Sequence, residues 1–252
     1  MQTEDQVEPM EHVLDSGYVI LVDYMGDDLR VANAARVSFG KRTRVLRPKD
    51  SRLIKFLAEN GHTSPYRHNV VTFEVHAPMM VVRQLQRYVI GGNHSDPLGA
   101  WSEMSLRYVM GDFEFYVPQP NEWRLQAKDR KQGSDGTVKE TVGAAATSRL
   151  INVVDTALDN YTWAINAGVA GEQARLFLPA NALYTTWWMT LSLQAACWLF
   201  HERMRPDAMR ETREYAQAMY RLVYGLFPEA VDSLMKHLPG AHPMDMEDED
   251  AQ

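Results

Sequence analysis

A single cysteine, Cys197, occurs in the 252 residues, inside the apolar run AACWLF. That excludes an intrachain disulfide framework and a cysteine-built zinc site, and it fits a reducing cytoplasm. A basic excess is also missing: 26 Lys and Arg stand against 33 Asp and Glu, a formal net charge of −7. General nucleic-acid binding and membrane-surface adhesion usually need the opposite balance. No run reaches the ~18 apolar residues of a membrane span, and the opening MQTEDQVEPMEH lacks the apolar centre of a secretory signal. What remains is an ordinary globular composition, 45% hydrophobic and 23% charged. It predicts one domain over residues 13–239, between a disordered segment (1–12) and an acidic tail (240–252).

Local patterning predicts a mixture of helices and strands. Val13 to Tyr24 is rich in Val, Ile and Tyr and broken at Gly17, as in a strand pair or bent strand. Asp27 and Asp28 then cap a helical DLRVANAARVSF, and Asp50 or Ser51 caps Arg52 to Asn60, with Leu53, Phe56 and Leu57 as the buried stripe and Gly61 as the stop. His62 and His68 flank a polar turn. Without a third ligand at helical or hairpin spacing they serve local hydrogen bonds better than a metal. VVTFEVHAP alternates like a half-buried strand, and Pro78 opens the helix MMVVRQLQRYV. Phe113 to Val117 is predicted as a strand, Glu122 to Thr137 as an exposed excursion, and Val138 to Ala167 as a long helix with Leu150, Val154, Leu158, Tyr161 and Ile165 facing the core. After the turn EQARLFLP, Tyr184 to Leu193 is apolar and β-rich, and the following run is helical on either side of Pro206.

The stretch Arg83 to Tyr108 concentrates the chemistry. Arg83 and Arg87 share a helical face. The turn formers of Ile90 to Ala100 then make a loop. Beyond it Ser102, Glu103, Ser105 and Arg107 offer hydroxyl, carboxylate and guanidinium groups suited to a small anionic ligand. The arginines at 203, 205, 210 and 213 form a second basic cluster, a pattern that is usually a solvated face and occasionally an anion clamp.

Six blocks in order, VDYMGDDLRVANAARVSF, GHTSPYRHNVVTFEVHAP, RQLQR, SEMSLRY, ARLFLP and LYTTWW, resemble those of the flavin-dependent thymidylate synthases and cover Leu14 to Tyr220. The resemblance implies the α+β fold of the thymidylate synthase-complementing proteins, an antiparallel sheet with long helices, assembled as a homotetramer with shared active sites. It implies reductive methylation of dUMP to dTMP, using methylenetetrahydrofolate, NADPH and FAD. By the same resemblance Gln84, Arg87, Glu103, Ser105 and Arg107 surround dUMP. Arg175 pairs with the phosphate, and Arg203 reaches the uracil carbonyl oxygens. Guanidinium suits both tasks because its donor fork stays protonated. Arg203 and Ser105 are the residues nearest the chemistry, Ser105 as a ligand-contacting hydroxyl and not as a nucleophile. The FAD side falls to Ser38, His62, Ser64, Arg87, Tyr88, Ile90, Ser192 and Gln194. Cys197 is expected to be a core thiol.

Departures from the family pattern cluster on that flavin side. The family's Arg-His-Arg is Arg87-Tyr88-Val89, and Ser105 follows only after an insertion of about eight residues. The family's Asn-x-Arg is Ser192-Leu193-Gln194, while Arg67, Trp198 and Asp207 replace a usual Glu, Asn and His. Two further readings therefore accompany the first: a C5 hydroxymethylase of dUMP or dCMP with reduced or no flavin use, and a non-catalytic dUMP-binding homologue.

Overall fold

A computed structural model of the chain describes residues 8–90, 99–104, 113–128 and 133–238. Strand β1 (Met10–Val13) turns through Leu14, whose φ is 59°, into β2 (Gly17–Met25). Gly17 has a packing reason: a Cβ there would lie 1.8 Å from the Tyr215 hydroxyl. β1 begins inside the segment expected to be disordered. Its polar-looking Glu11 and His12 pair with Val19 and Tyr18, so tertiary pairing orders a stretch whose composition does not demand it.

Helix α1 (Asp28–Arg36) starts at Asp27, whose side chain accepts the Arg30 N–H at 2.7 Å. Helix α2 (Pro48–Glu59) begins earlier than its caps suggest, because Pro48 takes the first helical turn and Asp50 acts from within it, accepting the Arg47 N–H at 2.8 Å. The buried stripe is Ile54, Leu57 and Ala58 and not the expected Leu53, Phe56 and Leu57, because the helix turns Phe56 to solvent. Asp50 is fully buried against Arg36. Burial opposes its charge, but hydrogen bonds from Arg36 and from the Arg47 backbone hold its carboxyl below the usual range.

A 3-10 turn over Ser64–His68 leads into β3 (Val70–Pro78), which pairs antiparallel with β2 and with β7 (Tyr184–Ser192). Helix α3 (Met79–Leu85) continues as a 3-10 turn to Ile90, and β4 (Ala100–Glu103) adds to the far edge of β7. The resulting five-stranded sheet runs β1-β2-β3-β7-β4. Val71, Phe73, Val75, Trp187, Met189 and Leu191 are buried on one face, each worth roughly 1.5–3 kcal/mol relative to exposure. The alternate residues make a polar lattice: Glu74 accepts from the Tyr18 hydroxyl at 3.0 Å and from the Trp188 indole at 2.6 Å. Strand periodicity thus separates Trp187, in the core, from Trp188, at 48% exposure.

Phe113 to Val117 makes only one isolated bridge, Phe115 to Leu183, and not the expected strand. Pro118 and Pro120 lack the N–H donors that would extend the ladder. The expected excursion instead contains a hairpin, β5 (Arg124–Gln126) with β6 (Ser134–Thr137), anchored where Arg124 Nη2 donates to both Glu211 carboxylate oxygens at 2.8 and 2.7 Å. Helix α4 (Glu140–Asn166) and the short α5 (Gly171–Ala174) share a small second core of Tyr161, Ala164, Ala174, Leu178 and Leu183. Helices α6 (Leu193–Arg203), α7 (Arg210–Tyr224) and α8 (Pro228–His237) belong to the main core. Cys197 is fully buried there, and burial pushes its thiol up, so it is the core thiol expected. Asp28 fastens α8 to α1, its carboxylate accepting the Glu229 and Ala230 N–H groups at 3.1 and 2.8 Å.

Candidate active site

The turn after α3 carries Tyr88 into the core against the last residue of α6. Tyr88 is 6% exposed, and the Arg203 guanidinium carbon lies 5.2 Å from its ring centre. Burial raises the Tyr88 hydroxyl, while the Arg203 charge and hydrogen bond pull it back. The interaction uses the π face and the phenol oxygen together. Among the described residues the buried Arg203 Nε nevertheless has no hydrogen-bond partner. A donor withheld from water in this way is costly unless a group beyond those residues receives it.

The other groups named from the sequence each have their own setting. Gln84, on α3, donates to the Met209 sulfur at 3.3 Å. Glu103 ends β4 opposite Trp187 and receives the Thr185 hydroxyl at 3.5 Å, on the same sheet face as α6. Arg87 is exposed and forms no ion pair among the described residues. At the opposite end of α6, Ser192 caps the helix, its hydroxyl accepting the Ala195 N–H at 3.3 Å. The buried Gln194 amide oxygen there has no partner among the described residues. Ser38, His62 and Ser64 sit exposed on the turns after α1 and α2. Arg175 follows α5 beside the second core, and its Nε is also buried and unpartnered among the described residues. Ser105 and Arg107 lie outside the described residues, as does the Ile90 side chain. A single chain therefore brings Tyr88 to Arg203, while Gln84 and Glu103 bond to Met209 and Thr185 and Arg175 sits beside the second core.

Two groups escaped the sequence reading. Trp101 stacks on Trp187 with ring centres 5.1 Å apart and leaves its own indole N–H buried without a partner. Met209 meets Gln84 across the fold. No local pattern marks either residue.

The family model for "Thymidylate synthase complementing protein" matches residues 20–229. The chain belongs to that family. Within it, the chain is 36% identical over 233 residues to the flavin-dependent thymidylate synthase of Treponema denticola, covering 89% of this chain and 81% of that one. It is 37% identical over 226 residues to the enzyme of the same description from Thermus thermophilus, covering 90% and 78%. Among solved structures, PolB from Streptomyces cacaoi, a UMP/dUMP methylase bound with 5-Br dUMP, superposes with a TM-score of 0.74 at 27% identity, covering 88% of this chain and 96% of PolB. The expected α+β architecture is thus that of the family.

A flavin fits the residues present. The orphaned Gln194 oxygen is a buried acceptor awaiting a donor, and the side chains of Ser38, His62, Ser64 and Arg87 have no hydrogen bonds or ion pairs to break among the described residues. Ser192 and Tyr88 are different, since each already serves a partner within the chain.

Proposed function

We propose that this chain is a flavin-dependent thymidylate synthase that methylates C5 of dUMP, taking the one-carbon unit from methylenetetrahydrofolate and reducing equivalents from NADPH. The observation that carries the reading is the Arg203 guanidinium, clamped by Tyr88 and retaining a buried, unpartnered donor, in a chain of this family. A fixed cation beside the uracil carbonyl oxygens stabilises negative charge as electrons move toward C5. Arg203 takes that role, and Arg175 with Arg107 neutralises the phosphate. Gln84, Arg87, Glu103 and Ser105 complete the dUMP site. FAD, when bound, supplies the hydride that completes the methyl group. Ser38, His62, Ser64, Arg87, Ile90 and Gln194 hold it, with Tyr88 and Ser192 contributing mainly through the groups they position.

The site is shared within a homotetramer. Apolar side chains on α4, including Val142, Val153 and Trp163, are 52%, 52% and 63% exposed, and Leu176 beside Arg175 is 86% exposed. Such a surface favours burial against further copies, which bring Arg175 of one chain to Arg203 of another. No helix of the described residues is long and apolar enough to cross a membrane, and the setting proposed is the cytoplasm. Expression in cells lacking their own thymidylate synthase tests the reading: growth without thymidine is expected, and continued auxotrophy with soluble protein present would contradict it.

A further inference from the structure

Away from Tyr88 and Arg203, a groove of about 1350 Å³ runs between α1 and the segment that follows it, and it is lined by Arg30, Lys41, Arg42, Arg44 and His68. All five are exposed. None of Arg30, Lys41, Arg42 and Arg44 forms an ion pair among the described residues, although acids outnumber bases in the chain. The one carboxylate in the lining, Asp27, is occupied in capping α1.

The segment bearing these charges has no regular structure, yet it is tied down. Asn33 donates to the Thr43 carbonyl and accepts the Thr43 N–H, both at 2.9 Å. Arg36 donates to the Thr43 hydroxyl at 3.3 Å and is itself held by the buried Asp50. Like charges are thus gathered in a defined place, with Asp27 the one carboxylate among the described lining residues. The arrangement costs repulsion in the free protein and is relieved by a polyanion.

We infer that this groove receives the oligo-γ-glutamyl tail of the folate one-carbon donor, an inference that rests on the proposed function. A single phosphate calls for donors converging on one point. Here the cations recur along an open channel, at residues 41, 42 and 44 with Arg30 on the opposing helix, which suits a chain bearing one carboxylate per unit. Tyr24, Met25 and Val37, at 49%, 48% and 77% exposure, border the same groove and offer apolar surface to the methylenes between those carboxylates.

The test uses the flavin-loaded full chain without turnover. Affinities for tetrahydrofolate monoglutamate and pentaglutamate are measured by equilibrium dialysis in the native protein, in Arg42→Ala/Arg44→Ala, and in a charge-matched control, Lys139→Ala/Arg149→Ala. Several exposed ion pairs together should make the pentaglutamate bind about 10-fold more tightly to the native protein and the control. That advantage should fall below about 2-fold in the groove variant, and should shrink in the native protein as salt rises. Equal affinity for both tail lengths in the native protein would overturn the inference, as would an advantage that survives in the groove variant. Loss of flavin from that variant, or a weakened NADPH response with the tail advantage intact, would assign the charges to dinucleotide phosphates instead and equally overturn it. Formation of dTMP with monoglutamyl donor reports on the proposed function separately. Because Arg42 and Arg44 are exposed, an unchanged melting temperature is the check on folding.

Discussion

The guanidinium of Arg203 rests 5.2 Å from the ring centre of Tyr88, at the position where the family's Arg-His-Arg signature carries histidine. A cation held on a buried ring and a phenol oxygen is aimed without being neutralised, and this is how the chain keeps a charge available for the pyrimidine. Removing the ring in Tyr88→Ala should weaken dUMP binding about 10-fold, through loss of a partly desolvated cation–π contact of roughly 1–2 kcal/mol. Tyr88→Phe retains the ring and should stay within about 3-fold of the native protein. Isothermal titration with dUMP distinguishes them, and equal losses in the two variants would move the effect to the hydroxyl.

Arg175 serves the phosphate in this account. Arg175→Ala should therefore weaken dUMP by about 2 kcal/mol through loss of a charge-assisted contact. Deoxyuridine, which has no phosphate, should bind both proteins equally. Competition binding with the two ligands provides the comparison.

Asp28 ties together elements from opposite ends of the described chain, accepting the first N–H groups of α8. Burial raises its carboxyl, while the Ala230 and Glu229 N–H groups pull it down. Asp28→Ala should cost about 2 kcal/mol in urea unfolding, since it leaves two helix-terminal donors without their acceptor. Asp28→Asn keeps one acceptor oxygen and should lose less.

Asp50 supplies a pH dependence whose sign can be worked out. Its folded carboxyl titrates below the ordinary range, so the folded state binds the proton less readily than the unfolded state. The resulting stability is fully present above the unfolded value of about 3.9 and is lost as pH falls through the lower folded value. Asp50→Asn should lose roughly 3 kcal/mol at neutral pH by leaving Arg36 unmatched. It should also flatten the fall in melting temperature as pH drops below about 4.

Much of the sheet was legible because burial on one face imposes a period of two: the alternation of Val71, Phe73 and Val75 marks β3 directly. The length and spacing of α4 were also readable. β4 was not, since Ala100 to Glu103 is too short and too exposed to carry a pattern, and only its pairing with β7 makes it a strand. The start of α2 was misread because Asp50 looks like a cap, while Pro48 ahead of it could already occupy the first turn. For the site, residue types and order single out Arg203 but not the ring it rests on. Tyr88 looked like a lost flavin contact, and its partnership with Arg203 is a tertiary fact that no local spacing encodes.

The central claim is that a fixed guanidinium lets this chain add a reduced one-carbon unit to dUMP. The most direct measurement is the mass of the nucleotide formed when the protein is incubated with dUMP, methylenetetrahydrofolate, FAD and NADPH. The expected result is dTMP, absent when NADPH is omitted and strongly reduced in Arg203→Ala. Unchanged dUMP from folded, flavin-loaded protein would contradict the account, and so would a hydroxymethylated product formed equally well without NADPH.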